Sequence, residues 1–404
     1  MKALRRIAIA VVGLVVTLVG VFSFSWLAAH ETIGELPAGE RLARVQQSTH
    51  WRDGRFRNAL TRVDGPLTES VLRWLFGGGS PYASPEAPLV VQQRARAQFD
   101  TLPASGLRVT WLGHSTTLIE LDGQRVLTDQ MWGTRASPLS WIGPARFFSP
   151  PLALDDLPQI DAVVISHDHY DHLDMGTVRT LSAMGTRFIV PLGIGARLAS
   201  WDVPAAQITE LDWWQDVTVG SLTITATPSR HFSGRWVHDA DRTLWAGWSI
   251  ASPTARVYYS GDTALLDDME AIGARLGPFD IALIEIGAYN ALWSDVHLGP
   301  EQAVRASRLV RAAVLLPVHW ATFDLALHGW TEPIERTLVA AAREGVRVAT
   351  PVPGGSVEPL RTLPDRKWWP QLPWQRVEQA PAFSTSVNAL WERTTPHQPL
   401  PGQP

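Results

Sequence analysis

Six consecutive residues carry the densest chemistry in this chain: His167-Asp168-His169-Tyr170-Asp171-His172. They follow the apolar run Ala162–Ile165, which reads as a strand, so the loop lies at a strand end. In extended backbone, residues i and i+2 point the same way, so His167 and His169 can grip one ion. A turn after them aims Asp171 and His172 at a second ion beside the first. Three histidines and an aspartate packed this closely are hard to explain as structure alone, and they predict a metal site. Four donors cannot fill two coordination shells. Further candidates stand at the ends of other apolar runs: His231 after Thr223–Thr227, Asp262 after Val257–Ser260, and His319 at the close of Val314–Val318. The chain has no cysteine, so any metal must be held by imidazole or carboxylate. That ligand set suits zinc, and iron or manganese also accept it.

The elements that must position these residues are legible as alternating runs. Strands are expected at Arg108–Leu112, Thr117–Leu121 and, after an Asp122-Gly123 turn, Arg125–Leu127. More follow at Ala162–Ile165, Arg187–Val190, Val217–Thr227, Thr243–Ile250, Val257–Ser260, Ile281–Ile286 and Ala313–Val318. Helical patterns fall at Glu40–Gln47, Thr68–Phe76, Met175–Met184, Pro300–Arg311 and Pro333–Glu344. Strand pairs interleaved with helices indicate a layered α/β protein. Gly77-Gly78-Gly79-Ser80-Pro81 lacks the Lys-Ser/Thr of a phosphate-binding loop and reads as a linker.

Composition bounds the function. With 45% hydrophobic and 18% charged residues, the 404-residue chain can bury a sizeable core. A net charge of -4 gives no bulk attraction to nucleic acid, which is not an expected partner. The 19 tryptophans exceed ordinary usage and suggest an apolar cleft or a membrane interface beside normal packing. At the N-terminus, Lys2, Arg5 and Arg6 precede the uncharged stretch Ile7–Ala29. As a helix it would span roughly 35 Å, enough to cross a bilayer. It reads as an uncleaved anchor, with a cleaved signal peptide as the alternative. The basic flank keeps the N-terminus cytoplasmic and exports the body to the periplasmic or extracellular side. Four segments follow: residues 1–30 as anchor or signal, 31–105 as an N-terminal lead-in, 106–358 as the hydrolase domain, and 359–404 as a Pro/Trp-rich tail that wraps the surface.

The ordered set H-x-H-x-D-H, His, Gly-Asp-Thr and His resembles the metallo-β-lactamase superfamily. Surrounding phrases resemble its N-acyl-phosphatidylethanolamine phospholipase D branch and bacterial relatives. They include Trp111-Leu112-Gly113-His114, Leu127-Thr128-Asp129, Arg230-His231-Phe232-Ser233-Gly234, Gly261-Asp262-Thr263, Ile286-Gly287-Ala288-Tyr289 and His319-Trp320-Ala321-Thr322-Phe323. Gln130, Glu285 and Asn290 stand where that branch commonly has proline. The resemblance implies a four-layer αββα sandwich and two zinc ions. One would be held by His167, His169 and His231, the other by Asp171, His172 and His319, with Asp262 bridging. A water between two such ions, as hydroxide, would be the nucleophile, and Asp171 would orient it or take its proton.

Several neighbours have expected roles. His114 supports the site without binding metal. Asp129 orients a ligand histidine. His297, ahead of a helix N-terminus, contacts a phosphate or oxyanion and is a candidate catalytic residue. Tyr289 is a candidate substrate contact. His328, His238, His30, His50 and His397 read as ordinary surface residues. The leading functional expectation is a phosphodiesterase on N-acyl-phosphatidylethanolamine-like phospholipids. A lactonase or other ester or amide hydrolase shares the same donors. A membrane-attached scaffold with a structural metal fits less well, because structural zinc sites are closed and mononuclear.

Overall fold

The computed structural model describes residues 2–63, 79–361 and 363–385. The expected helix Thr68–Phe76 and the tail around Trp391 lie outside them. The body is two facing sheets. The first has strands β1 (Leu107–Gly113), β2 (Thr116–Leu121), β3 (Gln124–Thr128), β4 (Ala162–Val164), β5 (Arg187–Pro191) and β6 (Ile208–Leu211), closed at one edge by residues 356–357 against β1. β1 to β3 pair antiparallel, and β3 to β6 run parallel. The second sheet has β7 (Asp216–Val219), β8 (Leu222–Thr227), β9 (Gly247–Ala251), β10 (Arg256–Tyr259), β11 (Ile281–Glu285) and β12 (Leu315–Val318) in that spatial order. Its first four strands are antiparallel and its last two pairs parallel.

Period-two burial explains the layering. Val109, Trp111, Ile119, Val126, Val164 and Ile189 point into the core shared with the second sheet. Their chain neighbours Leu112, Leu118, Leu127, Val163, Phe188 and Val190 point the other way. That outer face is covered by α1 (Met175–Ala183) and α2 (Ile194–Ser200) through Val178, Leu181, Ile194 and Leu198. The second sheet is backed by α3 (Asp268–Arg275), α4 (Pro300–Leu309) and α5 (Glu332–Glu344). Each buried Val, Leu, Ile or Phe stabilises by about 1.5–3 kcal/mol, so both strand faces count.

Two expected strands change. Val217–Thr227 is not one strand but the hairpin β7–β8, turned at Gly220-Ser221. Gly220 has φ 57°, and a Cβ there would lie 1.9 Å from Gln124 Oε1. Of Thr243–Ile250 only residues from Gly247 onward are strand, because Leu244 and Ala246 bond to Leu192 O and Ser166 O in the first sheet's loops. β6, α2 and α3 were not foreseen.

Lys2–Ile33 forms one helix whose Ile9–Leu27 stretch has mean hydropathy 2.3 and none of it buried. Its base is tied to the body. Arg235 donates to Thr32 O at 2.8 and 3.1 Å, and to Asp168 O and Leu173 O at 2.7 and 3.0 Å. The tail is stitched down more firmly than a surface wrap. Trp369 is buried, and Thr385 N donates to Asp295 Oδ1 at 2.6 Å.

Candidate metal centre

The centre forms where corresponding edges of the two sheets meet. The first sheet supplies His114 after β1, Asp129 after β3, and the loop His167–His172 after β4. The second supplies His231 after β8, Asp262 after β10, Glu285 at the end of β11, His297 ahead of α4, and His319 after β12. Backbone φ is positive at His114 (50°), Asp129 (31°) and His319 (62°), so three non-glycine residues hold an uncommon conformation at this one seam. Gly261, φ 57°, lets the Asp262 turn approach the loop. A Cβ there would sit 2.5 Å from Ser166 Cβ.

The seven expected donors converge in two sets. His167 Nε2 lies 2.8 Å from His169 Nδ1, and His231 Nε2 lies 3.4 Å from the same atom. His172 Nε2 lies 3.2 Å from Asp171 Oδ2, and His319 Nε2 3.4 Å from it. Asp262 Oδ2 stands between the sets, 3.2 Å from His172 Nε2, 3.1 Å from His319 Nε2, 3.8 Å from His231 Nε2 and 3.9 Å from His167 Nε2. Donors at ~2.0–2.1 Å from one tetrahedral ion are about 3.3–3.4 Å apart, so most of these separations suit a shared ion. His172 Nε2, His319 Nε2 and Asp262 Oδ1 are buried without a hydrogen-bond partner. Buried polar atoms are ordinarily satisfied, so these orphans are consistent with a cation between them. The residues present therefore fit a metal group.

The surrounding hydrogen bonds fix ring orientation. Asp129 Oδ2 sits 2.6 Å from His172 Nδ1, and the same carboxylate accepts from Ser166 N, Ser166 Oγ and the Tyr259 hydroxyl. His231 Nδ1 is 2.7 Å from Val296 O. His114 Nε2 is 3.0 Å from Asp171 Oδ2, and burial, then His319, pushes His114 down to about 3. His114 therefore stands as a neutral partner of Asp171. His319 moves the other way: burial opposes its charge, but Asp262 and Asp171 outweigh it and raise it to about 10 in the metal-free protein.

Two expectations need correction. Tyr289 is only 3% exposed; its hydroxyl donates to Glu332 Oε1 at 2.7 Å and its ring stacks on His328 at 4.5 Å. It serves packing rather than substrate contact. His328 is not an ordinary surface residue, since it is half-buried and borders a small pocket with His114 and His319. Sequence reasoning also gave Glu285 no role in the site. Its carboxylate is fully buried, 2.7 Å from His297 Nδ1, and accepts from Thr263 N and Leu298 N. The available signal was an ionisable residue closing an otherwise apolar strand. Burial, then Asp262, raises Glu285 well above its usual 4.5.

Residues 124–320 match the β-lactamase superfamily domain. A metal-dependent hydrolase of Pyrobaculum arsenaticum is 30% identical over 246 residues, 61% of this chain and 97% of its own length. The chain belongs to the β-lactamase superfamily. It is a metal-dependent hydrolase of that superfamily. An uncharacterised protein of Mycobacterium tuberculosis is 46% identical over 356 residues, 85% of this chain and 95% of its own. An N-acyl-phosphatidylethanolamine-hydrolysing phospholipase D of Caenorhabditis elegans is 40% identical over 233 residues, 55% of this chain and 65% of its own. The superfamily fold is also shared with an isothiocyanate hydrolase from Delia radicum gut bacteria, at TM-score 0.50 and 20% identity, covering 62% of this chain and 98% of that one.

Proposed function

We propose that this protein is a two-zinc phosphodiesterase acting on N-acyl-phosphatidylethanolamine-like phospholipids. The observation that carries the two-ion reading is the pair of donor triads, His167/His169/His231 and Asp171/His172/His319, with the Asp262 carboxylate between them. Two ions held there would supply Lewis acidity at the phosphoryl oxygens and a water acidic enough to attack at neutral pH.

The chain's own residues do the rest. Asp171, 14% exposed and bonded by His114, is placed to orient the attacking water and take its proton. His297 has Nδ1 held by Glu285, which leaves Nε2 as the ring nitrogen free to face a substrate oxygen. Asp129 keeps His172 aimed inward. Hydrolysis of the diester would release phosphatidic acid and the acylated alcohol.

Three features support a lipid substrate: the likeness to the worm enzyme, the apolar helix Ile9–Leu27, and tryptophans that line a mostly apolar cavity. On this reading the helix anchors the protein, and the hydrolase body stands on the periplasmic or extracellular side.

The test joins metal analysis with a substrate panel on the full chain. About two metal equivalents, with phosphodiester hydrolysis lost in Asp262→Ala, support the reading. One equivalent or fewer after reconstitution, or turnover of lactones in preference to every diester offered, overturns it.

A further inference from the structure

The apolar helix meets the body at one level. The Phe24 ring stacks on Trp141 with centroids 5.8 Å apart, and the Trp26 ring meets Trp236 edge-on at 5.1 Å. Two helical residues rise about 3 Å and turn about 200°, so two separate loops grip the helix at one height from opposite sides. Toward the N-terminus from there, Val11, Leu14, Val15 and Leu18 are all more than half exposed. Toward the C-terminus the ties are polar: Trp201 Nε1 donates to Glu31 O at 2.7 Å, and Thr32 Oγ1 to Pro138 O at 3.1 Å. Phe24 to Leu27 therefore marks the boundary between an uncovered apolar helix and its polar base.

Both loops carry uncovered apolar tips at that boundary. Trp141 and Ile142 are 53% and 59% exposed, Val237 is 74% exposed, and Leu27 on the helix is 73% exposed. One exposed apolar side chain means little, but four gathered at the end of an unburied apolar helix form a patch. The stems of these loops lead to the metal centre. The first is closed by Ala136 N to Pro144 O at 2.9 Å and Arg146 N to Thr134 O at 3.0 Å, and Phe147 N then donates to Thr322 O in the turn after His319. The second leaves directly from His231. Arg235, beside Trp236, accepts from the Tyr170 hydroxyl at 2.9 Å and lies 3.9 Å from that ring's centre. Its side chain also holds the Asp168 and Leu173 carbonyls that bracket the metal loop.

We propose that the Trp141-Ile142 and Trp236-Val237 tips enter the lipid surface beside the anchor, so that the body is seated on the bilayer with its metal loop at the interface. Continuity points to lipid as the occupant. The patch adjoins the end of a 19-residue stretch of mean hydropathy 2.3. Three indoles, Trp26, Trp141 and Trp236, gather at the level where such a span would leave the hydrocarbon, and tryptophan favours that level. The seat rests on the anchoring reading above. It adds an orientation, in which a diester in the bilayer meets the centre from its own leaflet.

The chain has no cysteine, so one introduced cysteine takes a spin label at a single place. Ile142→Cys and Val237→Cys probe the two tips independently, Val15→Cys the helix, and Val339→Cys the exposed side of α5. Each full chain is labelled in phosphatidylcholine nanodiscs, with folding checked by melting and metal content. Collisions with oxygen, which concentrates in lipid, are compared with collisions with a water-soluble nickel chelate. The oxygen-to-nickel ratio at Ile142, Val237 and Val15 should exceed that at Val339 by about fivefold or more. Ile142→Glu combined with Val237→Glu puts charge into the tips. It should lower hydrolysis of a bilayer-borne diester, relative to soluble bis(4-nitrophenyl) phosphate, about tenfold. A Val15 label in lipid with both tip labels in water overturns the seat and leaves the anchor standing, whereas a Val15 label in water overturns both. Tip labels shielded from both quenchers, with spin–spin broadening that vanishes on dilution with unlabelled chain, show a second copy on the patch and overturn the seat. An unchanged rate ratio in the charged variant overturns delivery of substrate from the bilayer. Tip labels in lipid with neither diester hydrolysed uphold the seat and overturn only the phosphodiesterase reading.

Discussion

His172 Nδ1 and Asp129 Oδ2 are 2.6 Å apart, both fully buried, at the ends of neighbouring strands of one sheet. This carboxylate does not join the donor sets. It holds a proposed ligand's ring by the nitrogen that faces away from them. Removing such a partner typically lowers metal affinity by about 10–100-fold. Asp129→Ala should therefore weaken binding of the metal at the His172 set by that factor while leaving the other set loaded. Competition with a calibrated zinc chelator checks this. Equal loss from both sets would show that Asp129 holds the whole loop rather than one ring.

Asp262 sits between the sets, so its removal should affect both. Asp262→Ala is expected to drop metal content below two equivalents and hydrolysis by at least about a thousandfold. Metal analysis and initial rates at saturating substrate test this. Two retained equivalents at wild-type rates would contradict the proposed bridging role.

The Gly261 turn offers a stability prediction. Alanine there must adopt φ 57° and place its Cβ 2.5 Å from Ser166 Cβ. Left-handed backbone and overpacking together cost about 2–4 kcal/mol. Gly261→Ala should lower the melting temperature and loosen metal binding, as measured by calorimetry with and without chelator.

Glu285 gives a pH dependence. Burial and Asp262 raise its pKa well above 4.5, so in metal-free protein the native state keeps a proton that the unfolded chain has lost. That raised value favours the native state fully below about pH 4.5, and the advantage fades as pH rises through the native value. Glu285→Gln is neutral throughout. Relative to wild type, its melting temperature in EDTA should be unchanged at pH 4 and increasingly higher toward neutral pH. A difference that does not vary with pH would refute the assignment.

The fold and the donors were legible in the sequence for a common reason. Each donor ends an apolar run, and strand ends are where sheet folds present chemistry. His231, Asp262 and His319 became readable once the dense loop His167–His172 gave them a destination. What stayed hidden depends on three-dimensional neighbours. Glu285 looks like any acidic residue until β11 buries it against His297. Tyr289 sits in a phrase that resembles a functional one, yet Glu332, 43 positions later in the chain, claims its hydroxyl. The Val217–Thr227 run concealed its turn because Gly220 alone breaks an otherwise continuous pattern.

The donors come from both sheets, with His167, His169, Asp171 and His172 on one side of the seam and His231, Asp262 and His319 on the other. An ion bound there acts as a rivet through two plates. Without it, the same plates are held at this edge by contacts such as that of His172 with Asp262. Stripping the metal should therefore do more than silence the enzyme. Amide hydrogen exchange should quicken along the loops on both sides of the seam together, while the helix-covered outer faces stay protected.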